Sequence, residues 1–154
     1  MSAGVTRRSL IAAALTGCVP VIALGGAPPS SRKSQSAKMR IEFSFSDHTF
    51  TASLYENAAA RELMSMLPLD LMIEDYSMNE KMAYLPRKLA VQGTEAFADE
   101  SVGDLCYYAP WGNLVFFHAG YRYSRGLVRL GRLDGGAAPL LTRGKFPLRA
   151  QQVA

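Results

Sequence analysis

The side chains best suited to proton transfer or metal binding are few in this 154-residue sequence: His48 and His118, Cys18 and Cys106, and the adjacent acids Glu74 and Asp75. None has the spacing that chemistry needs. The histidines stand alone, with no His-Glu-x-x-His stretch, and the cysteines form no Cys-x-x-Cys pair, so no metal and no cofactor is expected. Neighbouring acids on an extended chain face opposite sides, which makes Glu74 and Asp75 a poor acid–base dyad. There is no Gly-x-Ser-x-Gly elbow for a nucleophilic serine, and Gly131-Arg132-Leu133-Asp134-Gly135-Gly136 lacks the context of a phosphate-binding loop. What the sequence concentrates is aromatic surface with polar tips. Tyr107, Tyr108, Trp111, Phe116, Phe117, Tyr121 and Tyr123 fall within one short region. Such residues build cores, and they also build concave binding sites.

The elements that must position them read as mainly β. Met39, Ile41, Phe43 and Phe45 alternate with polar residues, as do His48, Phe50, Ala52 and Leu54 after the Ser46-Asp47 turn, which predicts an N-terminal hairpin. Asn57 is a suitable N-cap for a helix over 58–67 that Pro68 stops. Further strands are expected at 69–73, 82–85, 102–108, 114–118 and 127–133. A polar turn is expected at 75–81, a loop at 92–101 and a break at Gly135-Gly136. Short strands separated by Gly- and Pro-rich turns suggest a closed barrel or sandwich.

Charge is unevenly placed. Residues 1–37 hold Arg7, Arg8, Arg32 and Lys33 and no acid, whereas residues 38–154 hold 13 bases and 13 acids. A neutral folded unit excludes nucleic-acid binding as a leading reading. Inside that unit, residues 38–121 carry 6 bases and 12 acids and residues 122–154 carry 7 bases and 1 acid, an arrangement expected to neutralise itself as surface pairs.

Thr6-Arg7-Arg8-Ser9-Leu10-Ile11, followed by an apolar stretch, matches a twin-arginine signal peptide over residues 1–27 and predicts export to the periplasm or the outer side of the membrane. Two processing routes are open. Leu15-Thr16-Gly17-Cys18 resembles a lipobox that would lipidate Cys18, and small residues near Ala23 and Gly25 suit ordinary cleavage. Residues 28–38 form a Pro- and Ser-rich spacer. The folded domain is expected over 39–141, with 142–154 as a C-terminal tail.

Three stretches carry a family resemblance: Asn79 to Pro86, Val102 to Leu114 and Tyr123 to Leu133. Together they resemble the small bacterial cyclophilin-like domains. The resemblance implies a closed cyclophilin-like β-barrel with one or two short helices. True cyclophilins isomerise X-Pro bonds with an arginine beside an apolar pocket, and their Phe-His-Arg stretch is missing from this chain. The expected function is therefore an exported domain that binds a peptide or small ligand in an aromatic pocket. Its expected lining is Tyr84, Tyr107, Trp111, Phe117, Tyr123 and Arg125. Two alternatives stand beside it: a peptidyl-prolyl cis-trans isomerase using Arg125 or Arg87 as donor, and a ligand-free interaction scaffold tethered through Cys18.

Overall fold

The structure, a computed structural model, describes residues 39–92 and 95–153. The expected leader and spacer, with Cys18, lie outside the described residues.

Alternation sets the first hairpin. Strand β1 (Arg40–Phe45) buries Ile41, Phe43 and Phe45, and β2 (His48–Leu54) buries Phe50, Ala52 and Leu54. The two pair antiparallel. Helix α1 (Ala58–Met66) begins where Asn57 Oδ1 accepts the Ala60 N–H at 2.8 Å, satisfying one of the free donors at a helix start. Ala59, Ala60 and Leu63 face the core. The remaining strands are β3 (Leu69–Tyr76), β4 (Glu80–Tyr84), β5 (Asp104–Tyr108), β6 (Asn113–Phe117), β7 (Leu127–Leu133) and β8 (Lys145–Gln152), with a 3₁₀ turn at Ala138–Leu141. They close into a barrel in the order β1-β2-β7-β5-β6-β4-β3-β8, with neighbouring strands antiparallel. Its interior is aromatic: Phe43 meets Phe116 edge-on at 5.2 Å and Phe50 at 5.5 Å. The mainly β closed barrel expected from the sequence is the fold observed.

Two stretches depart from expectation. Residues 75–81 are not a polar turn: β3 runs on to Tyr76, and β4 begins at Glu80. Asp75 and Lys81 are cross-strand partners, and the Lys81 ammonium, fully buried, donates to Asp75 at 2.8 Å near the rings of Phe45 and Phe146. An ion pair inside the wall gives a strand the look of a loop. Residues 142–154 are likewise not a tail, because β8 lies between β1 and β3 and closes the barrel. Leu148 and Ala150 are buried and Phe146 half-buried, with polar residues between them. Pro147, which suggests no strand, sits where β8 pairs with β3 alone. The folded unit thus extends through β8.

Strand β6 is buried along its whole length. Leu114 and Phe116 point into the barrel core, while Val115 and Phe117 belong to a second apolar cluster on the outside. That is why the run is continuous in the sequence rather than alternating.

The tightest point in the wall is Gly131 of β7, opposite Leu54. A Cβ there would lie 2.2 Å from the Ser53 carbonyl oxygen and 2.8 Å from Leu54 Cα. Gly131→Ala is expected to push β2 and β7 apart and to cost about 1–3 kcal/mol or more, read as a lower midpoint in urea denaturation.

Candidate ligand pocket

The outer face of β5, β6 and β7 carries Cys106, Val115, Phe117 and Leu127, and Phe97, Tyr108, Tyr121 and Tyr123 pack onto it. The chain between β6 and β7 lies over this face. Its anchor is Tyr121, whose ring lies flat on Phe117 with centroids 3.5 Å apart, and whose hydroxyl donates to Asp104 Oδ2 at 2.7 Å. Asp104 is fully buried. Its Oδ1 accepts from Arg132 Nε and Nη2 at 3.1 and 3.0 Å, and its Oδ2 also accepts the Ser101 N–H at 2.9 Å. A carboxylate out of water needs this many donors. Burial, with the hydrogen bond to Asp104, drives the Tyr121 phenol far above its ordinary range. Burial also pushes the Cys106 thiol up to about 12, which leaves it protonated and inert at neutral pH.

Beside this layer opens a cavity of about 300 Å³. Its walls are Tyr76, Tyr108, Trp111, Phe117 and Tyr121, with Glu80, Asn113 and Arg122 as polar groups. Trp111 is held edge-to-face by Tyr76 at 5.3 Å and Tyr108 at 5.4 Å. Asn113 is buried, gives its amide N–H to the Leu114 carbonyl at 3.2 Å, and leaves Oδ1 without a partner. Glu80 is half-buried, and its carboxylate has no hydrogen bond or ion pair among the described residues. Burial raises its pKa. Arg122 is exposed at the rim.

Two larger hollows are less suited to hold a ligand. One, of about 550 Å³, lies between Tyr55, the start of α1 and Phe97, where Arg129 is already tied to Asp99 at 2.8 Å. The other, of about 610 Å³, is an open depression along Met72, Tyr84 and Pro147.

Of the residues expected to line a pocket, Trp111 and Phe117 come together in the aromatic cavity. The other four do not join them. Tyr107 alternates with Cys106 on β5 and so points into the barrel, where its hydroxyl accepts the Leu89 N–H at 3.0 Å. Tyr84 stands half-exposed in the open depression. Tyr123 packs on Phe97 at 5.1 Å, and its backbone N–H donates to Glu100 at 2.7 Å. Arg125 is exposed and lines none of the three hollows. Arg87 is bound to Glu62, and neither lines the cavity. Reasoning from sequence passed over Tyr76, Glu80 and Asn113 as members of a site. Tyr76 and Glu80 became visible only with the β3–β4 hairpin, because Tyr76 pairs with Glu80 and Glu80 with Phe117. Among the described residues no group of His, Cys, Asp and Glu could hold a metal ion.

A barrel of this topology with a pocket on its outer face defines the class of protein. The profile of the cyclophilin-like family matches residues 43–150, and the chain belongs to that family. Its fold is similar to the solution structure of the hypothetical protein AF2241 from Archaeoglobus fulgidus, with a TM-score of 0.63 and 14% sequence identity, over 79% of this chain and 99% of that one. At that identity the likeness shows the fold alone. No curated protein matches the sequence.

The unpaired Glu80 gives a prediction. Its pKa is higher in the folded state than in the unfolded chain, so its ionisation opposes folding. The penalty is absent below the unfolded value, grows as pH rises to the folded value, and is full above it. Glu80→Gln is expected to raise the melting temperature at about pH 7 and to leave it nearly unchanged at about pH 3, below the glutamate range. Thermal unfolding at the two pH values checks this.

Proposed function

We propose that this chain is a binding domain, carried out of the cytoplasm, that takes a small ligand or a peptide side chain into the aromatic pocket on the outer face of its barrel. The observation that carries the reading is the cavity of about 300 Å³ walled by Tyr76, Tyr108, Trp111, Phe117 and Tyr121. Three of these rings, Tyr76, Tyr108 and Trp111, carry a polar group not tied to Asp104, which suits a site that both desolvates and orients what it holds. Trp111 is the sole tryptophan of the sequence, so the pocket contains its own reporter. Small-molecule titrations of the full chain are expected to change Trp111 fluorescence saturably, and Phe117→Ala is expected to weaken that response about tenfold or more.

A second reading rests on Arg122. It is the arginine in the pocket wall, beside the apolar side chains of Phe117 and Leu127, and a guanidinium so placed can donate to a twisting X-Pro carbonyl. Arg125 and Arg87, the donors suggested by the sequence, stand outside that cavity. Proline-limited refolding of a reporter protein decides between the readings. A binding domain leaves the slow phase unchanged. An isomerase shortens it, and Arg122→Ala abolishes the effect.

Export is supported by Arg7-Arg8 and the apolar stretch after them. Replacing both arginines by lysine is expected to retain the protein in the cytoplasm, as read by cell fractionation, if the twin-arginine route carries it.

A further inference from the structure

We infer that the ligand of the aromatic pocket is a small organic cation, an ammonium or guanidinium group held between the Glu80 carboxylate and the aromatic walls. The inference rests on the reading of that cavity as a ligand site and goes on to name the chemistry of its occupant.

The register places the recognition elements in one row. Tyr76 on β3, Glu80 on β4 and Phe117 on β6 are direct cross-strand partners, so their side chains stand on the same face. Glu80 therefore rises between two aromatic rings. Beyond Tyr76 stands Trp111, and Tyr121 lies on Phe117. A carboxylate flanked by aromatic side chains presents negative charge beside apolar surface, a combination that suits an organic cation with an apolar body.

The polar groups point the same way. Every other carboxylate on the inner or outer wall that loses water has found donors: Asp104 has Arg132, Ser101 and Tyr121, and Asp75 has Lys81 and the Gly144 N–H. Glu80 is the exception, half-buried and with no partner among the described residues. Asn113 in the same wall holds a second unused acceptor, Oδ1. A site that keeps two unsatisfied acceptors is complementary to a donor, and the unpaired carboxylate among them favours a donor with positive charge. The cation already near, Arg122, does not fill this role. It is exposed and makes no ion pair with Glu80. The volume of about 300 Å³ admits a lysine- or arginine-sized group and not a folded partner.

The test uses the full chain at constant ionic strength, with Trp111 fluorescence as readout. Butylammonium is compared with its neutral and anionic counterparts, butanol and butyrate, and with benzyl alcohol as a neutral aromatic probe. N-acetyl-lysine methylamide distinguishes a peptide side chain from a free amine: tighter binding than butylammonium assigns the site to peptides, equal or weaker binding to free amines. The expected result is saturable binding of butylammonium, no saturation by butanol or butyrate, and a loss of about tenfold or more in Glu80→Gln. Tyr76→Leu, which keeps the carboxylate and removes a ring, is expected to weaken the cation as well. Equal affinity for butylammonium and butanol, or unchanged affinity in Glu80→Gln, overturns the cation assignment. Saturation by benzyl alcohol without any response to butylammonium overturns it too, and leaves the pocket a ligand site. Silence towards every probe removes the ligand site itself and the cation with it.

Discussion

A carboxylate with no contact to water obliges its surroundings to supply donors, and Asp104 is the residue on which that obligation falls in this barrel. Arg132 reaches it from β7, Ser101 from the turn before β5, and Tyr121 from the chain that crosses the outer face. Three separate parts of the sequence are thereby fixed to one point. The outer layer over β5 and β6 then has a defined position, and the cavity at its edge has a defined wall. The contact does not have to be strongly stabilising to matter. Breaking it by removing one donor leaves a buried charge uncompensated, which is far more costly than the intact pair is favourable.

The charge asymmetry of the sequence has its explanation in the order of the strands. The acids of β3 face the bases of β8 in register, with Asp70 opposite Arg149 and Glu74 opposite Lys145. Arg129 and Arg132 of β7 meet Asp99 and Asp104. Acids early in the chain and bases late in the chain are thus neighbours in space. The exposed pairs contribute little to stability individually, but a slip of β8 against β3 would separate them while turning Leu148 and Ala150 outward.

Much of the barrel could be read from alternation and turn chemistry. The hairpin of β1 and β2, the cap at Asn57, and β7 over Leu127–Leu133 follow directly from the residues. The failures have two physical causes. Lys81 and Asp75 pair within the β3–β4 hairpin, so a strand reads as a loop, while Pro147, which has no N–H to give a ladder, disguises β8. The candidate site suffered more than the fold, because its members depend on which face each strand turns outward. Tyr107 and Tyr108 are adjacent and chemically alike, yet one lies in the barrel core and the other lines the cavity. Only the register decides which is which. Trp111 and Phe117 were legible because the turn and the doubly buried strand that carry them were.

The position of β8 has a further consequence, for synthesis. It is the last strand of the barrel in chain order, and it pairs with β1 and β3 on its two sides. Until it emerges, β1 and β3 each present an open edge able to recruit a foreign strand. Closure therefore joins the two ends of the domain in a single late event of high sequence separation, so the barrel forms after translation of the domain rather than during it. The seal between β1 and β3 thus waits on Lys145–Gln152, whatever order the other strands take.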